Sequence, residues 1–219
     1  MRYTQQELDE LQKKLYTAVL SDIMDELAIQ NFSLSGEIKP VLSSGKLIGY
    51  ARTLHAVDVF STPENPYQKE LILLDSLEAG DVLFALVSGK NHNGFVGELI
   101  ATACIARGSR GAVVDGHVRD TQFIDFNRFP VYAKGTSPLD SKGRVDTIAI
   151  DEPIICGDTR ICPGDIIFAD YDGIVVIPAE KAELVFQKAM EKVRGENMVR
   201  DELSKGCSIV KVFNKYGIL

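Results

Sequence analysis

The sequence predicts an α/β fold in one unit flanked by helical segments. Three features carry that expectation: a helix start with one apolar stripe near the N-terminus, a continuous apolar run at 82–87, and a long helical pattern after Ala179. Thr4-Gln5-Gln6-Glu7 is a capping box, in which the Thr hydroxyl accepts from the N3 amide while Glu7 reaches back to the cap. Leu8, Leu11 and Leu15, then Leu20, Ile23, Met24 and Leu27, place one buried stripe on a helical N-terminal extension over 1–30. The periodicity stops at 31–36. Short β-rich runs follow over 46–60, then a short helix over 70–77 closed by Gly80.

The run 82–87 is apolar throughout, as a strand covered on both faces requires. A helix is expected over 98–107 and a strand over 112–114, with Gly108 between them. A short helix after Arg119, a strand at 131–133 and hairpin-like strands between 147 and 178 come next. A C-terminal helical extension occupies 179–219, its pattern running toward Lys205. Ala79-Gly80-Asp81 and Pro163-Gly164-Asp165 each lead into an apolar strand, which reads as recurrent turn chemistry, since no fixed period extends the likeness. No linker or low-complexity segment interrupts the chain, so 1–219 is taken as a single domain.

A formal net charge of -7 argues against a nucleic-acid footprint, which needs a surplus of Lys and Arg on one face. The apolar stretch 166–178 is broken by Asp170, Asp172 and Gly173, so no membrane span is expected. The polar, acidic N-terminus is unlike a secretory signal, and a cytoplasmic address is expected. The cysteines at 104, 156, 162 and 207 form no C-x-x-C pair and read as small buried residues kept reduced.

Turn glycines and ionisable residues concentrate in the middle of the chain. Gly94 and Gly97 precede the helix expected from Glu98, so the amides of Glu98, Leu99 and Ile100 should point out of a helix N-terminus as an anion site. Beyond the strand at 112–114, Arg119 and Asp120 fall where α/β sheets bind ligands, at the C-terminal ends of strands. A guanidinium there can clamp a carboxylate or keto oxygen, and a carboxylate can hold a hard cation. The 20 residues between Glu98 and Arg119 suffice for a helix, a turn and a strand, which returns the chain to the same end of the sheet.

On these residues the chain resembles the RraA-like family. The likeness runs through Gly97-Glu98-Leu99-Ile100-Ala101, then 111–120 ending in Arg119-Asp120, then 130–138, with Ser21-Asp22, Asp25, Gly164-Asp165 and 173–178 outside them. The family includes aldolases of 4-hydroxy-4-methyl-2-oxoglutarate, related oxaloacetate decarboxylases, and the regulator of ribonuclease activity A. The resemblance implies a swivelling β/β/α sandwich that assembles as a homotrimer or homohexamer and cleaves a small 2-oxo acid to pyruvate with Mg²⁺ or Mn²⁺. By the same resemblance Asp120 holds the metal and Arg119 hydrogen-bonds the keto oxygen. Gly97 with the amides of Leu99 and Ile100 orients the substrate carboxylate. Glu98, standing where Asp is often found, or Glu196 from a neighbouring subunit, is the base for the 4-hydroxyl.

Competing chemistries lack partners. A Schiff-base aldolase needs a desolvated lysine, whereas Lys134 reads as a solvated or ion-paired strand end. Zinc hydrolysis through His117 and Asp120 lacks a second His at helical spacing, and His55 and His92 read as a strand-surface and a loop residue. The alternative of another class is a non-catalytic regulator binding a ribonuclease or other protein. The helical tail after Ala179 and Glu196 favour the aldolase branch, because the regulators resemble a shorter core.

Overall fold

The computed structural model of the protein describes residues 2–42, 45–90 and 92–218. The capping box forms as written: the Glu7 N–H donates to Thr4 Oγ1 at 3.2 Å and the Thr4 N–H donates to Glu7 Oε2 at 2.7 Å. It opens α1 (Gln5–Lys14), and α2 (Thr17–Glu26) follows. The expected single stripe is therefore split into two helices. The break at Leu15, which is extended, follows from a distant cap. Asp170 accepts the Thr17 N–H at 2.8 Å and the Thr17 hydroxyl at 2.6 Å, and starts α2 afresh.

The next elements are β1 (Lys39–Pro40), β2 (Leu47–Asp58), α3 (Gln68–Asp75), β3 (Asp81–Ser88), β4 (Gly94–Val96), α4 (Glu98–Ala106), β5 (Gly111–Val118) and β6 (Val131–Thr136). Then come β7 (Val145–Ile150), β8 (Ile154–Cys156), β9 (Thr159–Ile161), β10 (Ile166–Ala169), β11 (Ile174–Ile177), α5 (Ala182–Ser204) and α6 (Ile209–Tyr216). One sheet takes the order β1-β6-β5-β3-β2-β10-β11, with β4 added to β5 and β7 to β2. Its centre, β2-β3-β5-β6, is parallel. The outer pairings β1-β6, β2-β10 and β10-β11 are antiparallel, as is that of β7 with β2. Strands β8 and β9 form a separate hairpin.

Alternation along the central strands divides the core between the two sheet faces. Leu83, Ala85, Ala112, Val114, Val131 and Ala133 share one buried cluster with Leu73 and Leu74 of α3 and Ala101 and Cys104 of α4. Val82, Phe84, Val113 and Tyr132 belong to the opposite cluster, with Ile154 and Ile161 of the β8-β9 hairpin. A third cluster joins α1, α2 and α5 to Ile48, Ile166 and Phe168. Burial on both faces is why 82–87 carries no polar residue.

The paired Gly-Asp turns share one geometry. Asp81 Oδ2 accepts the Glu78 N–H and Asp165 Oδ2 accepts the Cys162 N–H, each at 2.8 Å, with left-handed Gly80 (φ +96) and Gly164 (φ +91). The likeness is confined to the turn and the strand it starts. Cys104 and Cys156 are buried as expected, but Cys162 is half-buried and Cys207 exposed, and all four are free thiols. Among the described residues no helix is long and apolar enough to cross a membrane.

Candidate active site at the end of the fifth strand

The expectation of a strand limited to 112–114 is corrected: β5 continues to Val118, because β4 pairs with its far end through Gly94↔His117 and Val96↔Val118. Arg119 and Asp120 are the first residues beyond it, and the Arg119 N–H donates to Val96 O at 2.9 Å. Asp120 is left-handed (φ 54) and turns the chain into a 3-10 turn over Thr121–Phe123, the short helix expected there. This exit places both side chains in a surface cleft of about 460 Å³ lined by Val118 to Gln122 and by Thr136, Ser137 and Pro138.

β4 leads through Gly97 into α4, whose first turn starts at Glu98. No side chain caps this helix among the described residues, so the amides of Glu98, Leu99 and Ile100 keep the ligand-binding potential of an open N-terminus. Gly97 is also where the three parts of the site meet. A Cβ there would lie 2.6 Å from Asp120 Oδ2, 3.2 Å from Arg119 Cγ and 3.3 Å from Arg119 Nε. A Cβ on Gly94 would lie 2.5 Å from Arg119 Cβ and 2.6 Å from Ser137 O. The two glycines are thus close-approach positions as well as turn residues.

Arg119 is flanked by two carboxylates, with Nε 3.5 Å from Asp120 Oδ2 and Nη1 3.2 Å from Asp140 Oδ1. Asp140 Oδ1 is shielded from solvent and makes no hydrogen bond, so this second pairing is a charge contact without hydrogen-bond geometry. The side chains of Arg119 and Asp120 remain 34% and 46% exposed, which leaves both accessible from the cleft. Glu98 is half-buried and accepts a bond from Thr102 Oγ1 at 2.9 Å.

The structure thus brings Gly97 against Arg119 and Asp120, while Glu98, Leu99 and Ile100 form the first turn of the helix that Gly97 starts and are not among the residues lining the cleft. Glu196 lies elsewhere in this chain. It is on α5, which packs on α1, α2 and α6, and its carboxylate accepts a bond from Tyr16. That contact and burial raise the Tyr16 hydroxyl to about 12, burial being the larger cause. Sequence reasoning missed Asp140, Gly94's contact with Arg119, and Tyr67, whose pKa is raised by burial and then by the charge of nearby Asp140. Of these only Gly94 carries a local signal, as a glycine three residues before another at a helix start.

The side chains of competing chemistries are engaged elsewhere. Lys134 pairs with Asp115 at 2.5 Å, which raises its pKa and makes it a poor amine nucleophile. His117 packs edge-on against exposed His92, with ring centroids 5.0 Å apart, and burial lowers its pKa. His55 is half-buried rather than on the surface, its Nε2 2.9 Å from Ser88 Oγ. Among the described residues no group of three or more His, Cys, Asp or Glu could cage a metal ion.

The model of the family described as "RraA-like: Aldolase/RraA" matches residues 17–176. A Halalkalibacterium halodurans protein named "Putative 4-hydroxy-4-methyl-2-oxoglutarate aldolase" is 30% identical over 197 residues, covering 90% of this chain and 89% of that one. A solved structure of an uncharacterized protein from Pseudomonas syringae pv. tomato superposes with a TM-score of 0.84 at 26% identity, covering 99% of this chain and 96% of that one. Streptomyces coelicolor RraAS2, described as an unusual member of the RNase ES inhibitor RraA protein family, gives a TM-score of 0.75 at 28% identity, covering 91% and 98% respectively. The Streptomyces match spans nearly all of both chains.

Proposed function

The chain belongs to the RraA-like family, and from that premise we propose that it is a divalent-metal-dependent lyase that cleaves 4-hydroxy-4-methyl-2-oxoglutarate or a similar 4-hydroxy-2-oxo acid to pyruvate, with oxaloacetate decarboxylase activity. The observation that carries this reading is the convergence at Gly97, where an open helix N-terminus, a carboxylate and a guanidinium come within contact of one Cα substituent.

The donor set suits Mg²⁺ or Mn²⁺. Asp120 offers one half-exposed carboxylate, and with no larger cluster of ligands among the described residues the remaining positions would fall to water and substrate, the shell Mg²⁺ prefers. Two carboxylates against one guanidinium also leave the cleft with a formal surplus of negative charge, which disfavours an anionic substrate unless a cation accompanies it. When bound, the ion supplies Lewis-acid polarisation of the substrate carbonyl.

The amides of Leu99 and Ile100 receive the substrate carboxylate at the positive end of α4. Arg119 donates to the 2-keto oxygen, and the bond strengthens as that oxygen gains charge during cleavage. Glu98, on the first turn of the same helix, accepts the proton of the 4-hydroxyl, either itself or with Glu196 from a neighbouring subunit. Decarboxylation of oxaloacetate develops charge on the same oxygen and needs no such base. The same proposal includes a cytoplasmic enzyme working as a homotrimer or homohexamer. Exposed Leu99 (79%), in the first turn of α4, and Phe123 (69%), in the 3-10 turn after Asp120, support a neighbour covering this end of the sheet.

The test is a lactate-dehydrogenase-coupled pyruvate assay over a panel of 4-hydroxy-2-oxo acids and oxaloacetate. Turnover abolished by EDTA and restored by Mg²⁺ or Mn²⁺ is the expected result. A second reading, a non-catalytic regulator, is favoured by the likeness to the Streptomyces protein. No pyruvate from any substrate, together with tight binding to a ribonuclease, would establish it instead.

A further inference from the structure

We infer that Asp140 is a positioning residue for Arg119, an inference that rests on the lyase reading above: it fixes the guanidinium from the side opposite the Asp120 contact and leaves the remaining N–H groups for the substrate. Asp140 lies on the loop after β6, and that loop is bonded to the floor of the cleft at each step. The Ser137 N–H donates to Val118 O at 2.9 Å, the Ser137 hydroxyl donates to His92 O, and the Gly94 N–H donates to Leu139 O at 2.9 Å. On the far side of Asp140, Ser141 O accepts the N–H groups of Arg144 and Val145 at 2.9 and 3.0 Å. Arg144 Nη1 donates to the Asp140 carbonyl at 3.0 Å.

The backbone of Asp140 is therefore held on both sides, and its Oδ1 lies 3.2 Å from Arg119 Nη1 as a charge contact shielded from water. A free arginine side chain has several rotatable bonds to immobilise before it can aim a donor. Here the stem lies against Gly94 and Gly97, and the head is met at Nε by Asp120 and at Nη1 by Asp140. In the lyase reading Asp120 would be engaged by the cation, which leaves Asp140, among the described residues that pair with Arg119, to hold it through turnover.

Three substitutions test this. Asp140→Asn keeps the shape and removes the charge; it should lower kcat about tenfold or more while KM changes by less than about twofold, since aim matters most in the transition state. Asp140→Glu should recover part of the loss, and Asp140→Ala should resemble Asp140→Asn. The second readout needs no turnover: the Nε–H resonance of Arg119 in a ¹⁵N arginine spectrum, identified by its loss in Arg119→Lys, should shift or broaden in Asp140→Asn at unchanged Tm. Wild-type kcat or an unmoved Arg119 resonance in Asp140→Asn overturns the inference. An inactive wild-type protein overturns the lyase reading alone, because the resonance still reports whether Asp140 holds Arg119.

Discussion

Arg52, within β2, and Arg119, just beyond the end of β5, each stand between two aspartates, yet they are wired in opposite ways. Arg52 uses its whole fork. Nε and Nη2 bond Asp151 at 2.8 and 2.6 Å, Nη1 bonds Asp81 and Ser76 O at 2.9 Å each, and Nη2 also bonds Ser76 Oγ at 2.7 Å. Its side chain is 16% exposed and that of Asp81 is fully buried, and Asp151 and Asp81 raise the Arg52 pKa further. Arg119 makes two looser charge contacts, at 3.5 and 3.2 Å, and faces a cleft. A saturated guanidinium holds a fold together, whereas an unsaturated but well-aimed one is available to a ligand. The count of bonds made, more than the presence of an ion pair, separates structure from function here.

The largest expected effects come from truncating each arginine in turn. Arg52→Ala should cost about 2–3 kcal/mol of stability, because it removes charge-assisted bonds to Asp151 and Asp81 and leaves buried Asp81 with only Arg2 and the Glu78 N–H as partners among the described residues, while turnover per folded molecule stays near wild type. Arg119→Ala should do the reverse. Turnover should fall by about 10²–10³-fold, as when a donor to a developing oxyanion is lost, while stability changes by no more than about 1 kcal/mol, the worth of an exposed ion pair. Denaturant melts and pyruvate release on both variants would break the comparison if either protein showed the other's profile.

Gly97→Ala should give a smaller, sharper effect. The glycine has φ -121 and ψ -172, which alanine adopts freely, so the new Cβ acts by pressing on Asp120 Oδ2 from 2.6 Å and, less closely, on Arg119 Cγ and Nε from 3.2 and 3.3 Å. That carboxylate sits at the end of a mobile side chain and can yield without unfolding anything. Turnover should drop about tenfold, with a weakened response to added Mg²⁺ and an unchanged Tm; undiminished turnover would mean that Asp120 works from another position.

What could be read from sequence was what local chemistry decides. The capping box at Thr4, the buried strand around 82–87, the helix start at Glu98 and the meeting of that helix with Arg119 and Asp120 all depend on neighbours within a few residues or on one chain reversal. What escaped depends on distant partners. The break between α1 and α2 is set by Asp170, the extension of β5 to Val118 by pairing with β4, and the facing of Asp140 onto Arg119 by a loop bonded back to Gly94 and Val118. None of these leaves a periodicity or a motif. Glu196 marks the same limit: its partner within the chain, Tyr16, is 180 positions away.

The most direct test of the central claim is a crystal of the protein soaked with Mn²⁺ and oxalate, a planar dianion shaped like the enolate of pyruvate, measured at the manganese absorption edge. The account predicts an anomalous peak beside the Asp120 carboxylate, with oxalate between Arg119 and the amides of Leu99 and Ile100. A peak bound elsewhere on the chain, or oxalate lying apart from Arg119, would contradict it.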